Sequence, residues 1–439
     1  MEILMKIPEN PPTLTKLLET NRNDVLNAFL DPDVRAFLIA EEQEYDYWDK
    51  FKHLKMPKNI SAEIVWACRE IRNSGKRMRS PIKTEENDYF SYSLTSIIEQ
   101  TLHQTDRNMP FITEDLPHGP SREAVLIRSL MEEAIASSQI EGAAATRRHT
   151  KEMLSANRKP ADCSEQMILN NYRAITHIRE LKNKPLSEEM LLELHKILSE
   201  KTLGDGEIGR FRQSPQDDNV EVIDDDGIIL YKPPSGEKIR PLLQSLIAFA
   251  NTDDDVFLHP LIKGIILHFW LAWIHPFCDG NGRTARAIFY WYMLKKKYWA
   301  FEYLSISRIV LHKEGQYKRA FLYTELSNDL TYFLTFNAKI INEAAAEVSQ
   351  YIKHKLEQER SGAEIAGKFP SLNSRQRAIV AHAREHAGQI YTIRLHQSQH
   401  NISYGTARSD ILGLVALCLF VETGTAKTRE FLPVQEKLK

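Results

Sequence analysis

Residues 275–286, HPFCDGNGRTAR, put the side chains that handle phosphate chemistry into one short loop. Gly280 and Gly282 bracket Asn281 and permit the positive φ values that let neighbouring backbone N–H groups converge; a helix predicted to begin at Arg283 adds its dipole, and the result is an anion cradle. Arg283 and Arg286 fall three residues apart on the first turn of that helix, where cations oppose the dipole. Polyphosphate charge between them would resolve the conflict. Asp279 supplies a single carboxylate beside the cradle, suited to a Mg²⁺ that keeps most of its waters and takes its other ligands from phosphate oxygens. His275, at the opposite rim, is the loop's one base at neutral pH and is placed to take a proton from an attacking hydroxyl. The ring of Phe277 reads as a pin into the core. His259 and His268 read as core or boundary residues of the preceding apolar helix. The turn-rich segment 204–212, GDGEIGRFR, is no phosphate loop, because no Gly-Lys-Ser/Thr follows it.

Residues 275–286 match without departure the signature His-Pro-Phe-x-Asp/Glu-Gly-Asn-Gly-Arg-x-x-Arg, and on it the central part of the chain resembles the Fic family. The resemblance implies a mainly α Fic fold, a helical core with a β-hairpin flap. It also implies a protein adenylyltransferase that moves AMP from ATP onto a Tyr, Thr or Ser hydroxyl of a target protein, self-modification included. His275 would then be the general base and Asp279 the Mg²⁺ ligand. Asn281 with the amides of Gly280 and Gly282 would hold the α-phosphate, Arg283 the β-phosphate and Arg286 the γ-phosphate. Val222 in the hairpin is a candidate for touching nucleotide or target. Tyr317, in GQYKRAFLY, stands where relatives keep a tyrosine near the adenine, with a core tyrosine as the other reading.

The segment SSQIEG, residues 137–142, is similar to the inhibitory motif Ser/Thr-x-x-x-Glu-Gly/Asn of the Fic branch (class II) whose brake lies on a helix N-terminal to the catalytic core. Ser137 and Glu141 share a helix face at i,i+4. The resemblance implies that Glu141 pairs with Arg286 where the γ-phosphate would bind; a solvated glutamate at a helix end is the plainer alternative. In some relatives the same glutamate orients water for removal of AMP, so a de-AMPylase using this site is a second expectation.

Positioning these groups falls to a helical framework. Apolar spacing predicts helices over 14–30, 61–74, 122–140 with a stop at Gly142, 165–181, 187–202, 240–251, 260–273 and 283–297. Between 220 and 231, VEVI and IILY flank DDDG, which predicts one β-hairpin with a solvated acidic tip at Asp224–Asp226. After the charged stretch HKLEQERSGAEIAGK, residues 371–439 follow the order of a winged helix–turn–helix: a helix over 374–386, a QIYT strand, SYGTARSDILGLV as second helix, and a two-strand wing. The expected domains are a helical N-terminal part (1–110) with Trp48, Phe51 and Trp66 as anchors, a Fic catalytic part (111–355) with the inhibitory helix around 122–142, and a winged helix (371–439). The last resembles DNA-binding regulators, with Arg394, Arg408, Lys427 and Arg429 as candidate phosphate contacts, and also modules that bind only protein.

Composition sets outer bounds. The 439 residues are 42% apolar and 26% charged with a formal net charge of −2, which excludes a globally basic nucleic-acid binder but not a local basic face. Cys68, Cys163, Cys278 and Cys418 lack metal spacing and fit a reduced, cytoplasmic protein. The apolar run 261–274 is broken by Lys263 and His268, and no h-region opens the chain, so no membrane span or export is expected. A homodimer stays open.

Overall fold

The computed structural model describes residues 7–84, 88–114, 116, 120–223, 227–252, 257–386, 388–400, 402–425 and 428–438. It comprises two compact units, 1–348 and 349–439.

The first unit opens with helices α1 (Leu14–Leu30), α2 (Pro32–Glu41) and α3 (Ala62–Ser74). Their starts follow from local chemistry. Asp31 accepts the Asp33 N–H with Pro32 at the first helical position, and Ser61 accepts the Ile64 N–H. Val25, Val34 and Trp66 from these helices lie buried in one cluster with Trp48 and Phe51 of the short turn Trp48–Phe51 and with Tyr323 and Tyr332 from much later in the chain. Residues 1–110 therefore lie in the same unit as 111–348. A hairpin that the sequence pattern did not signal, β1 (Met78–Lys83) with β2 (Tyr89–Tyr92), adds to this join. The Ser91 N–H donates to Asn328 O at 2.9 Å and Ser91 O accepts from the Leu330 N–H at 2.8 Å, while Phe90 packs on Phe269 and Trp273. Pro81 inside β1 masked it, since proline in a short run argues against a strand.

Next come α4 (Ser96–Glu114), α5 (Pro120–Ile140), α6 (Arg147–Ser155), α7 (Cys163–Leu181) and α8 (Glu188–Ser199). The expected stop after α5 is present: Gly142 adopts φ +90°. The expected flap is the antiparallel pair β3 (Val222–Ile223) and β4 (Ile229–Tyr231), with Val222 opposite Tyr231. Its acidic tip, Asp224–Asp226, lies outside the described residues. Then follow α9 (Gly236–Asn251), α10 (Pro260–Ile274), α11 (Asn281–Lys295), α12 (Ile306–His312), α13 (Glu314–Ser327) and α14 (Thr331–Lys368). Helix α10, apolar on nearly every face, is buried almost throughout, and α11 is buried with it, its polar first turns included. They pack on each other, and α11 also lies against α5, α7 and α8. Trp270 and Trp291 are fully buried there, each large apolar side chain contributing about 2–3 kcal/mol. The loop between these two rigid helices is the chemically dense segment 275–286.

In the second unit, α15 (Ser374–Glu385), α16 (Ile393–His400) and α17 (Tyr404–Ala416) precede the antiparallel pair β5 (Phe420–Thr425) and β6 (Thr428–Pro433). They close on a core of Ile379, Val380, Ile411, Leu414, Phe420 and Phe431. The QIYT strand is reduced to one bridge, Tyr391 with Phe431. Lys427, a candidate phosphate contact, lies outside the described residues. The molecule is mainly α, with three two-stranded sheets among the described residues. Among those residues no helix is long and apolar enough to cross a membrane.

Candidate active site

The loop 275–280 begins with an unusual backbone. His275 caps α10 in the left-handed region, φ 51° and ψ 56°, a conformation that costs a non-glycine residue about 1–2 kcal/mol. Its neighbours hold it there. The His275 N–H donates to Leu271 O at 3.1 Å, and the guanidinium of Arg212 donates from Nε to His275 O at 2.8 Å. Arg212 also donates to Pro234 O at 2.9 Å and to Asp217 O at 3.3 Å, and its own backbone N–H donates to Pro276 O at 2.8 Å. A single arginine, 2% exposed, thus fixes the first two carbonyls of the loop. Arg212→Ala removes the side-chain donor from the buried Pro234 O and the part-buried His275 O, and one of two donors from Asp217 O, a loss of roughly 2–3 kcal/mol. The expected result is a thermal midpoint lower by several degrees; an unchanged midpoint would show that water replaces the clamp.

The histidine ring is oriented in turn. Nδ1 donates to Ala272 O at 3.2 Å, which leaves the Nε2 lone pair as the proton acceptor. Burial pushes the imidazole down to about 4, so it is neutral and able to accept a proton at physiological pH.

A second histidine, unnoticed in the sequence because a lone His on an amphipathic helix carries no signal, holds the middle of the loop. His195 of α8 stacks face to face on Phe277 with ring centres 3.8 Å apart. Its Nε2–H donates to Asp279 O at 3.0 Å while Nδ1 accepts the Gly209 N–H at 3.1 Å, and burial lowers it to about 4. Phe277, fully buried, is the expected pin. Arg212 and His195 are the two functional supports that sequence reasoning missed.

The cradle follows. Gly280 takes φ +79° as the N-cap of α11, so the N–H groups of Asn281, Gly282 and Arg283 open the helix with no carbonyl four residues back inside it. Three side chains named from the sequence are held by the protein itself here. The Asn281 carboxamide does not face the cradle: its Oδ1 accepts the Phe277 N–H at 2.9 Å and its Nδ2 donates to Phe277 O at 2.8 Å, stapling the loop shut. What Asn281 offers an anion is its backbone N–H. Arg283 is 1% exposed and donates to Leu198 O at 3.1 Å, with Asp279 Oδ2 at 3.4 Å, while its Nε has no partner. Arg283 lies against Gly280 and Arg286 against Gly282, each held by its own partners. Tyr317 is 6% exposed, its hydroxyl hydrogen-bonded to His268 Nε2 at 2.9 Å. Its burial and its bond to His268 fit the core reading.

Arg286 is buried against the end of α5. Nε donates to Ser137 Oγ at 2.9 Å, and NH2 donates to Ser137 O at 2.8 Å and to Glu141 Oε1 at 3.0 Å. Burial works against the guanidinium charge, and the Glu141 carboxylate more than restores it. The same carboxylate lies directly over Gly282, where a Cβ would overlap it. Glu141 thus fills the mouth of the cradle with its own negative charge.

Asp279 stands at the open rim, its side chain 55% exposed, with Oδ1 accepting the Gly280 N–H at 2.6 Å. Among the described residues no group of three or more His, Cys, Asp or Glu could hold a metal. A cation here would have one protein carboxylate and would need phosphate oxygens and water for the rest, which is how Mg²⁺ is commonly held. Val222, half-buried in β3, sits on the flap, and Tyr231 opposite it donates its hydroxyl to Trp273 O at 2.8 Å, two residues before His275. Ile223 and Ile229 leave the flap's surface apolar and exposed.

Fold and loop together define a helical domain built around an anion-binding loop at a buried helix start. Residues 185–293 match the Fic/DOC family, and the chain carries a Fic domain. It is similar to the protein adenylyltransferase Fic of Nematostella vectensis, 30% identical over 110 residues, which is 24% of this chain and 22% of that one. The corresponding Drosophila melanogaster protein is 25% identical over 157 residues, 34% of this chain and 30% of its own length. The matched segments thus span less than a third of those relatives. Two solved structures share the fold: a Fic family protein from Desulfovibrio desulfuricans G20 (TM-score 0.52, 18% identity, 78% of this chain and 97% of that one) and Fic-1, residues 134–508, from C. elegans (0.52, 19%, 78% and 95%).

Proposed function

We propose that the chain is a protein adenylyltransferase that transfers AMP from ATP to a hydroxyl side chain of a protein, itself included, and that Glu141 holds it in check. The observation that carries this reading is the Glu141 carboxylate seated on Arg286 and over Gly282, an internal anion in a site built for an external one. ATP would place its α-phosphate on the backbone N–H groups of residues 281–283, and its γ-phosphate would compete with Glu141 for Arg286. A Mg²⁺ on Asp279 would neutralise phosphate charge. The flap would take an extended target segment along its edge, presenting a hydroxyl toward His275. His275 Nε2 then removes the hydroxyl proton as the oxygen bonds to the α-phosphorus, the bond to the β-phosphate oxygen breaks, and pyrophosphate leaves.

The test is intact-mass spectrometry of Glu141→Gly after incubation with ATP and Mg²⁺. A gain of about 329 Da, the mass of one AMP less water, supports α-phosphorus transfer. No gain on the protein or on any protein of a cell extract would sink the reading, and release of AMP from a modified protein would favour the reverse reaction at the same site.

A second reading attaches to residues 349–439, which hold thirteen Lys and Arg against eight Asp and Glu although the whole chain has a net charge of −2. Arg394 on α16 and Arg408 on α17 are exposed, with no ion pair among the described residues; Arg429 is spent on Glu422. This favours duplex DNA as a partner of the second unit. Retention on DNA at about 50 mM salt should weaken as salt rises, and Arg394→Ala and Arg408→Ala should each lower the salt slope by about one. No retention at low salt would remove the idea.

A further inference from the structure

Helix α5 carries three polar residues at four-residue intervals, Glu133, Ser137 and Glu141, the first two within the helix and the third just past its end. That spacing puts them on one face. Ser137 and Glu141 hold Arg286. Glu133, two turns before the brake, takes no part in the chemistry proposed above, yet it is a carboxylate only 2% exposed. It accepts the Ser307 backbone N–H at 2.9 Å, the Ser305 hydroxyl at 3.2 Å and the Ser307 hydroxyl. Tyr290, one turn beyond Arg286 on α11, braces the same segment: its hydroxyl donates to Leu304 O at 3.1 Å and accepts the Ile306 N–H at 2.9 Å.

A buried carboxylate is costly unless each of its acceptor sites is met, so this one tolerates little displacement. The neighbouring Glu132 faces the other way, to Arg147 and Lys151 of α6, and adds no tie to the catalytic side. On the side of α5 that faces Arg286, Glu133 is therefore the buried ionisable group that fixes where the helix lies along its axis; the exposed Arg122, near the start of α5, adds one tie at 3.1 Å to the Tyr303 hydroxyl. A shift of a fraction of a turn would carry Glu141 off Arg286.

We propose that Glu133 is the positioning residue of the brake: anchored on Ser305 and Ser307, it sets the register of α5 that brings Glu141 onto Arg286, so that loosening this anchor releases the site while Glu141 is still present. The inference rests on the reading of Glu141 as a brake on AMP transfer. It deepens that reading by placing the control point two helical turns away, where a change in the 305–307 segment can reach it.

The experiment compares AMP incorporation in the parent, Glu133→Gln, Ser307→Ala, Glu141→Gly and the double variant Glu133→Gln/Glu141→Gly, with hydrogen exchange over residues 120–142. Glutamine keeps the shape but presents an N–H₂ to at least one donor; loss of such a charged hydrogen bond is worth about tenfold or more in rate. Expected results are incorporation raised about tenfold in Glu133→Gln and in Ser307→Ala, faster exchange over 137–142, and a double variant no faster than Glu141→Gly, since nothing remains to be positioned. Parental rates in both single variants beside an active Glu141→Gly overturn the inference, as does a double variant far slower than Glu141→Gly, which would make Glu133 a support of the catalytic core. An inactive Glu141→Gly rejects the transferase reading instead, and hydrogen exchange alone then decides: unchanged protection over 137–142 in Glu133→Gln overturns the anchor. Should Glu133→Gln fail to fold, Ser307→Ala, which keeps the backbone N–H, carries the same comparison.

Discussion

Glu141→Gly is expected to raise AMP incorporation about 10- to 100-fold over the parent chain. A hydrogen bond to a charged group is worth about 1.5–3 kcal/mol, and each ~1.4 kcal/mol is a factor of ten. The substitution does three things at once. It removes the carboxylate that competes with phosphate, clears the space over Gly282, and leaves Arg286 buried with Ser137 as its hydrogen-bonded partner. A buried guanidinium in that state gains most from a new anion. Glu141→Gln separates the parts, because it keeps the bulk over Gly282 and loses only the charge. An intermediate rate is expected for it, and a radiolabelled ATP assay ranks the three. Equal rates in all three would mean that Glu141 restrains nothing.

His275→Ala is expected to lower incorporation about 10²- to 10⁴-fold in the Glu141→Gly background, the range for loss of a general base. Alanine alone would leave an ambiguity, since residue 275 sits at φ 51° and any loss could come from the backbone. Asparagine tolerates that region, so His275→Asn tests the ring apart from the strain. Equal losses in both assign the effect to the imidazole; recovery in His275→Asn would assign it to the loop. The pH profile gives a second measure. Burial lowers the ring to about 4, so its basic form persists as pH falls from 8 to 5 and is lost only near 4. Activity should stay level across an interval in which a solvated histidine, titrating near 6.5, would already have lost most of its basic form. An acid limb centred near 6.5 would show that ATP binding opens the site to water.

How much of this was legible in the sequence differs by the range of the interaction. The loop 275–286 and its flanking helices were readable because glycine conformation, helix starts and apolar period are local properties, and predicted ends such as 122–140 and 14–30 fall within two residues of α5 and α1. Glu141 was readable through its motif. The supports were not. Arg212 and His195 act on main-chain carbonyls about 60 and 80 residues away, and no spacing rule connects them to the loop they hold. The same holds for Asn281 and Tyr317, whose side chains were free to serve ligand or scaffold until packing turned both toward the scaffold. Hairpin β1–β2 was hidden by its proline and became visible only through Phe90 and Ser91, which join it to α10 and to residues 328–330.

The flap and the residues just after it are tied to the end of α10 and the start of the loop at two places, through Tyr231 on Trp273 O and through Arg212, which spans Pro234 O and His275 O. Both ties end on main-chain atoms, so substitutions along α10 cannot easily lengthen or shorten them. The span from flap to imidazole is a ruler cut to one length. A target strand laid along the flap would be selected by how far its hydroxyl stands from its backbone, which separates tyrosine from serine and threonine whatever residues surround them.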